Sequence, residues 1–187
     1  MKYVIGYGEK FRCLQKSQYV SFAGFLLICF LTSQFLTGCY SFQGVSIPQE
    51  VKTFYIPEFD ISNRALKAPR QLGVVFSDQL KQQILRESRL SFTEIDPNIE
   101  FSGEITRFTV SSVAPQPDET TAFSRLDISV KVNYIDHFDE EKNWEKSFSD
   151  FRNFESNQNF LDVQDGLINQ IFTQIGEDIF NQTFSNW

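Results

Sequence analysis

The sequence predicts a small α+β domain in which two helices pack on one face of a mostly antiparallel sheet, in the order β-α-β-β-β-β-α. Two patterns support this fold class. Residues 123–136 alternate between apolar and polar side chains, as in a strand with one buried and one solvated face. Residues 72–88 and 162–184 instead place their apolar side chains at helical spacing. Successive strands with segregated helices favour α+β over a doubly wound sheet.

The remaining strands are predicted from runs rich in β-branched and aromatic residues. They lie at 51–59, 90–95, 99–113 and 144–154, with a turn at 139–142 before the last of them. Pro57 has no backbone N–H, so it predicts an edge position or the end of pairing in the first strand. Residues 111–121 contain two prolines and are predicted to form a mobile loop.

The strand at 99–113 changes its apolar pattern halfway along. Ile99 and Ile105 share one face, whereas Phe108 and Val110 fall on the other parity. A β-bulge inserts one extra residue and so restores the original face. We therefore expect a bulge near residues 106–107.

The two predicted helices each carry an apolar face suited to packing on a sheet. In the first, the apolar residues recur at every fourth position: Leu72, Phe76, Leu80 and Ile84. The second has a wider stripe: Leu167, Ile168, Ile171, Phe172, Ile175, Ile179 and Phe180. Asp162 is predicted to cap the second helix. Sixteen of the 21 phenylalanines follow residue 38, and we expect them to fill this helix-on-sheet core and part of a surface that faces a partner.

The N-terminal 38 residues are predicted to be an export signal. They hold four basic residues and one acidic residue, so the remainder of the chain carries −10 against −7 for the whole. Their apolar centre, at 23–31, is about half the ~20 residues that a membrane-spanning helix needs. A basic segment followed by a short apolar one is typical of a signal peptide.

The signal ends in Leu36-Thr37-Gly38-Cys39, which resembles the lipobox of bacterial lipoproteins. In such proteins a diacylglyceryl group is attached to the cysteine thiol, and the freed amine is acylated, for example with palmitate. We therefore expect lipid on Cys39, a tether at 39–50 and one domain at 51–187. The alternative is a chance L-T-G-C at the end of an uncleaved anchor. Residues 40–43, directly after Cys39, include no acidic residue, which favours the periplasmic face of the outer membrane.

The sequence offers little chemistry for catalysis. Cys39 is the one cysteine that remains after the signal is removed, so a disulfide, thiol catalyst or zinc site is not expected. His137 beside Asp136 and Asp139 could serve in acid–base chemistry, as in a hydrolase, but a surface histidine is the simpler interpretation. The acidic run at 139–141 could bind a cation or form a solvated turn. We expect no enzyme activity, metal or cofactor. The sequence pI of about 4.8 argues against nucleic acid as a partner.

Six blocks of the sequence carry a family resemblance that covers most of 36–187: the lipobox with Tyr40-Ser41-Phe42, the strand at 51–53, the G-E-I-T segment at 101–106, the strand at 125–130, the block at 147–151 and the D-I-F-N…N-W ending at 178–187. Together they resemble the LptE family of lipopolysaccharide-assembly lipoproteins, in the form found in Bacteroidetes-type bacteria. The resemblance implies a non-enzymatic protein that plugs the β-barrel translocon LptD, helps to assemble it and assists lipopolysaccharide transport to the outer leaflet. It also implies a small sheet with two helices on one side.

The resemblance further implies that basic side chains meet lipopolysaccharide phosphates. Because the domain is acidic, such a site must be a local cluster. Arg107, Arg125, Lys131 and Arg152 are candidates because they lie on predicted strands. The alternative function is a lipoprotein chaperone or pilotin for another envelope secretion machine, such as a secretin.

Overall fold

The computed structural model describes residues 47–114 and 122–185. The predicted signal, the lipobox with Cys39, most of the tether, the greater part of the 111–121 loop and the last two residues lie outside this part of the chain. The elements follow in chain order as β1 (Thr53–Tyr55), β2 (Asp60–Ile61), α1 (Leu72–Glu87), β3 (Ser91–Phe92), β4 (Ile99–Val113), β5 (Phe123–Asp136), β6 (Trp144–Glu155) and α2 (Phe160–Phe184). A single 3₁₀ turn at Glu140–Lys142 links β5 to β6.

The predicted α+β class is confirmed, and the sheet has six strands. Its order is β3-β1-β4-β5-β6, with β2 also paired to β4. The long ladders, β4 with β5 and β5 with β6, are antiparallel. Three short pairings are parallel: β1 with β3, β1 with β4 and β2 with β4. The sheet is therefore mixed, with an antiparallel meander of three long strands as its main part.

The strand expected at 51–59 is in fact two short strands, and the prediction of one strand was wrong. Pro57 lies between β1 and β2 and cannot donate to a ladder. The backbone N–H of Phe59 donates to Ser77 Oγ on α1 at 2.9 Å. The chain therefore leaves the sheet after β1, is held by α1 and re-enters the sheet at β2. The strand expected at 90–95 is likewise shorter, because Thr93 Oγ1 accepts a hydrogen bond from the N–H of Ile95 in a turn.

The predicted bulge in β4 is confirmed. Ile105 pairs with Val130 and Arg107 with Ser129, which leaves Thr106 as the extra residue. Thr106 Oγ1 donates to the Ser129 carbonyl oxygen at 3.2 Å. The bulge returns Phe108 to the buried side, where it is 5% exposed.

Aromatic rings join the two helices to the sheet. Phe76 on α1 lies between Phe59 and Phe172, with ring centroids 4.9 Å and 4.8 Å away. At the two ends of α2, Phe184 lies against Phe101 and Phe160 against Phe108 and Phe154. Each fully buried phenylalanine contributes about 1.5–3 kcal/mol. Ten phenylalanines of the described residues are buried in this core on one face of the sheet, whereas Phe138 and Phe151 are 61% and 44% exposed.

The N-terminus of α2 differs from the prediction by two residues. The helix begins at Phe160, and Asn159 is the cap, since its side chain accepts from the Leu161 N–H at 3.3 Å. Asp162 lies inside the first turn, where a negative charge favours the helix dipole. The expected cap at Asp162 was therefore wrong.

Candidate functional site

The β4–β5–β6 meander has a helix side and an opposite side, here called the outer face. On the helix side of β5, Leu126, Ile128, Val130 and Val132 are fully buried. The alternating residues form the outer face, and its apolar members are Val113, Phe123, Ile135 and Phe151. Its other residues are polar: Glu100, Ser102, Glu104, Arg107, Thr109 and Ser111 on β4, Arg125, Asp127, Ser129, Lys131 and Asn133 on β5, and Glu145, Ser147, Ser149, Asn153 and Glu155 on β6. No helix of the described residues packs over this face.

Three of the four predicted cations lie on the outer face, but Arg152 does not. Arg152 pairs with Leu126, whose side chain is in the core, so the two share the helix side. Its guanidinium forms an ion pair with Asp150 and reaches the Gln170 carbonyl oxygen of α2 at 3.4 Å. Arg152 therefore fastens the rim of β6 to the helix and is separated from the other cations.

The three outer-face cations have different surroundings. Lys131 Nζ is 2.9 Å from the Glu145 carboxylate. The Arg125 guanidinium lies 4.0 Å from the centre of the Phe151 ring, and its Nε donates to Asn153 Oδ1 at 3.1 Å. Arg107 is exposed and forms no ion pair within residues 47–114 and 122–185. Arginine stays protonated at any physiological pH and can bind anions through two parallel hydrogen bonds.

Arg107 and Arg125 are spread along the sheet. Arg107 on β4 lies opposite Ser129 on β5, and Ser129 is four positions from Arg125 along β5. At about 3.3 Å per residue, this separates the two positions by about 13 Å. Asp127 and the Thr109 hydroxyl form the row between them, and Ser111 lies opposite Arg125. The outer face can therefore hold two separate anionic groups, but it does not concentrate positive charge at one point.

His137 forms a different pair from the one that the sequence indicated. Its Nε2 is 3.1 Å from Glu100 Oε1 on the neighbouring strand, and almost half of the side chain is exposed. The Asp136 carboxylate accepts the backbone N–H groups of Phe138 and Asp139 at 2.9 and 3.1 Å. The carboxylate beside His137 in sequence thus closes a turn.

The acidic run at 139–141 stabilises its own 3₁₀ turn. Asp139 accepts the Glu141 N–H at 3.2 Å and pairs with Lys142 at 3.1 Å. The hydrogen bond to Asp139 raises the pKa of Lys142. In the described part of the chain, no three His, Cys, Asp or Glu side chains lie close enough to hold a metal ion.

A cavity of about 310 Å³ lies at the end of the sheet near Asp136. Residues 47–51 and the last turn of α2 form part of its wall. Tyr134 stacks on Trp144 there, and its hydroxyl donates to Asp136 Oδ2 at 3.4 Å. Burial raises the pKa of Tyr134, and the neighbouring carboxylate raises it further. The sequence analysis missed this site, although the position of Asp136 on the apolar face of β5 was a sign of a buried carboxylate.

Comparison with protein families places this fold among envelope lipoproteins. Residues 51–183 match the model of the LptE lipopolysaccharide-assembly family, and the chain belongs to that family. The resemblance noted from the sequence is thereby confirmed. The family is one of non-enzymatic lipoproteins that work with LptD in lipopolysaccharide assembly. No helix among the described residues is long and apolar enough to cross a membrane.

Solved structures with a related arrangement share little sequence with this chain. A minor lipoprotein from Acinetobacter baumannii is 10% identical, with a TM-score of 0.47, over 71% of this chain and 92% of its own. The hypothetical protein CT253 from Chlamydia trachomatis is also 10% identical, with a TM-score of 0.46, over 72% of this chain and 99% of its own. A search of curated proteins found no match.

Proposed function

We propose that this protein is an outer-membrane lipoprotein that plugs an LptD-type β-barrel, helps to assemble it and assists lipopolysaccharide transport to the outer leaflet. The observation that carries the proposal is the family match, because it extends from before β1 to the last turn of α2. It therefore covers the helices and strands of the described residues. The proposed role is binding and positioning, without catalysis.

The outer face supports a location inside a barrel. The interior of a transmembrane β-barrel is polar, so a protein that occupies it needs a polar surface of mixed charge. The outer face meets this requirement, since acids such as Asp127 and cations such as Arg107 are interspersed with hydroxyl and amide side chains. An exposed apolar sheet would instead favour contact with lipid or aggregation.

Lipopolysaccharide would be bound through charge-assisted hydrogen bonds between arginine and phosphate. Arg107 and Arg125 are the best-placed donors, because neither is held by a carboxylate in the described structure. The domain as a whole repels anions, since residues 39–187 carry −10. The glycolipid must therefore be attracted at close range.

Attachment to the outer membrane is proposed to depend on lipid at Cys39. One acyl chain binds a membrane only marginally, whereas two or three on one cysteine give stable anchoring. Cys39→Ser should leave a full-length precursor in the inner membrane, which fractionation and mass spectrometry would detect. Normal maturation of this variant would refute the lipobox interpretation.

The proposal is tested by purifying the lipidated protein from outer membranes under mild detergent. We expect a large β-barrel of the lipopolysaccharide export type to be recovered with it. Recovery of an oligomeric secretin would support the pilotin alternative. If no barrel is recovered, the proposed function is wrong.

A further inference from the structure

One long strand of the sheet loses its neighbour halfway along. On the side away from β5, β4 pairs with β1 at Ile99 and Glu100 and with β2 at Glu104 and Ile105. The last contact there is the Ser62 N–H, which donates to the Ile105 carbonyl oxygen at 3.0 Å. On the β5 side, pairing continues to Val113. From the bulge onward, no strand of the described residues pairs with β4 on the side away from β5.

The direction of the free backbone groups follows from the register. In a strand, the N–H and C=O of one residue point towards the same neighbouring strand. Residues whose side chains lie on the same face of the sheet direct these groups towards the same neighbour. The Ile105 carbonyl points towards β2, and its side chain is buried on the helix side. Beyond the bulge, Phe108 and Val110 lie opposite the core residues Ile128 and Leu126 and so share this orientation.

Phe108, Val110 and Ser112 therefore direct their N–H and C=O groups away from β5, and we call this stretch the open edge. Within the described residues, these backbone groups have no hydrogen-bond partner. Unpaired backbone groups in a row form a template for another strand. The open edge lies in line with β2, so an added strand would pair with β4 on the same side as β2 does.

The other long edge of the sheet, on β6, is protected. The Arg152 guanidinium donates to the Phe151 carbonyl oxygen at 2.7 Å and pairs with Asp150. Charged side chains of this kind prevent edge-to-edge pairing. The segment from Phe108 to Val113, by contrast, has no charge and no proline, and Val110 is 40% exposed. The edge of β6 is therefore protected against pairing and the open edge of β4 is not, although both strands are long.

We propose that the open edge accepts an extended segment of the barrel partner as an additional β-strand, which rests on the proposed function above. The occupant is a polypeptide, because alternating donors and acceptors at strand spacing match a backbone rather than a glycolipid. About six residues are enough to follow the edge. Its side chains alternate between an apolar set beside Val110 and a polar set near Thr109. An acidic residue at one end would meet Arg107.

A second copy of this chain fits the edge less well. Antiparallel self-pairing centred on Val110 would place Arg107 opposite Val113 and leave the guanidinium without a carboxylate. A partner segment with an acidic residue completes this ion pair. Charge complementarity therefore favours a different protein as the occupant.

The test compares Val110→Pro with Ser149→Pro in the full lipidated chain. Each substitution removes an N–H that points away from β5 and leaves the ladder with β5 in place, but Ser149 belongs to the protected edge of β6. Val110→Pro should lower barrel recovery from outer membranes by about tenfold, as expected for the loss of one or two backbone hydrogen bonds. Ser149→Pro changes one hydroxyl of the outer face and no hydrogen bond of the open edge, so it should lower barrel recovery much less than Val110→Pro does.

A photocrosslinking residue at Ser112, with Ser147 as the control, gives a second measurement that requires no proline. We expect Ser112 to crosslink to one extended segment of the barrel, and Ser147, which lies on the outer face, to crosslink to no residue of that segment. If the wild type recovers the barrel but Val110→Pro recovers it equally well, or if Ser112 crosslinks to a second copy, the edge proposal is wrong and the proposed function stands. If the wild type recovers no barrel, the proposed function itself fails.

Discussion

The helix side and the outer face of β4–β6 belong to the same three strands but have opposite compositions. The helix side is formed by aromatic and β-branched residues that exclude water, such as Phe101 and Ile128. The outer face carries arginines, acids and hydroxyls that remain in contact with solvent. Alternation along each strand separates stability from recognition, since a residue on one face does not contact its neighbours on the other. Changes on the two faces should therefore have different consequences.

The largest difference is expected between Phe76→Ala and Phe151→Ala. Phe76 is fully buried between two other rings, so its truncation should reduce the free energy of unfolding by about 3–5 kcal/mol. Phe151 is 44% exposed on the outer face, and its truncation should cost less than about 1 kcal/mol. Urea denaturation followed by circular dichroism measures both values. Equal losses would show that the outer face is as important for stability as the core.

Gly73 and Gly166 provide a matched pair on the helices. A Cβ at Gly73 would overlap the Phe59 carbonyl oxygen, whereas nothing lies within 4 Å of one at Gly166. Gly73→Ala should therefore destabilise the protein by about 1–3 kcal/mol despite the better helix propensity of alanine. Gly166→Ala should stabilise it by up to about 1 kcal/mol. Thermal unfolding checks the signs, and stabilisation by both substitutions would contradict the close packing of α1 on the segment before β2.

Tyr134 makes stability dependent on pH on the helix side. The unfolded phenol ionises near its ordinary pKa of about 10, whereas the folded one resists ionisation because its pKa is raised. The stabilisation is complete below about pH 10 and is lost as the pH rises above it. Tyr134→Phe should cost about 1 kcal/mol at neutral pH through the lost hydrogen bond.

The same variant should lose less stability than the wild type between about pH 10 and 12, since phenylalanine does not ionise. Urea midpoints at several pH values measure this difference. An outer-face control is Lys131→Ala, which leaves Tyr134 intact and should retain the wild-type loss near pH 10. Parallel curves for the wild type and Tyr134→Phe would refute the assignment.

The smallest effect on stability is expected for Arg107→Ala. Because Arg107 is exposed, the free energy of unfolding should stay within about 0.5 kcal/mol of the wild type. Binding to lipopolysaccharide vesicles should weaken by about tenfold, since charge-assisted hydrogen bonds to phosphate are lost. Lys131→Ala should weaken binding less, because Lys131 is already paired with Glu145. Unchanged binding in Arg107→Ala would remove Arg107 as a lipopolysaccharide contact.

Sequence patterns were most informative where one face of an element is buried throughout. The alternation in β5 correctly predicted a strand, and the change of parity near Thr106 correctly predicted a bulge. Both predictions succeeded because alternate residues of a strand lie on the buried and the solvated face. The family resemblance was likewise correct. Short pieces were harder to predict: β2 has two residues and no periodicity, and it exists because Ser77 on α1 holds the preceding segment.

The sequence by itself determined the α+β class, both helices, the long strands and the family. These features rest on local periodicity and on residue types, which are independent of distant parts of the chain. Tertiary structure alone decided that Arg152 leaves the group of outer-face cations and that His137 pairs with Glu100. It also decided that β4 keeps an unpaired edge beyond the bulge. Register, sheet order and edges depend on contacts between residues far apart in the chain, and a single sequence does not show which of those contacts form.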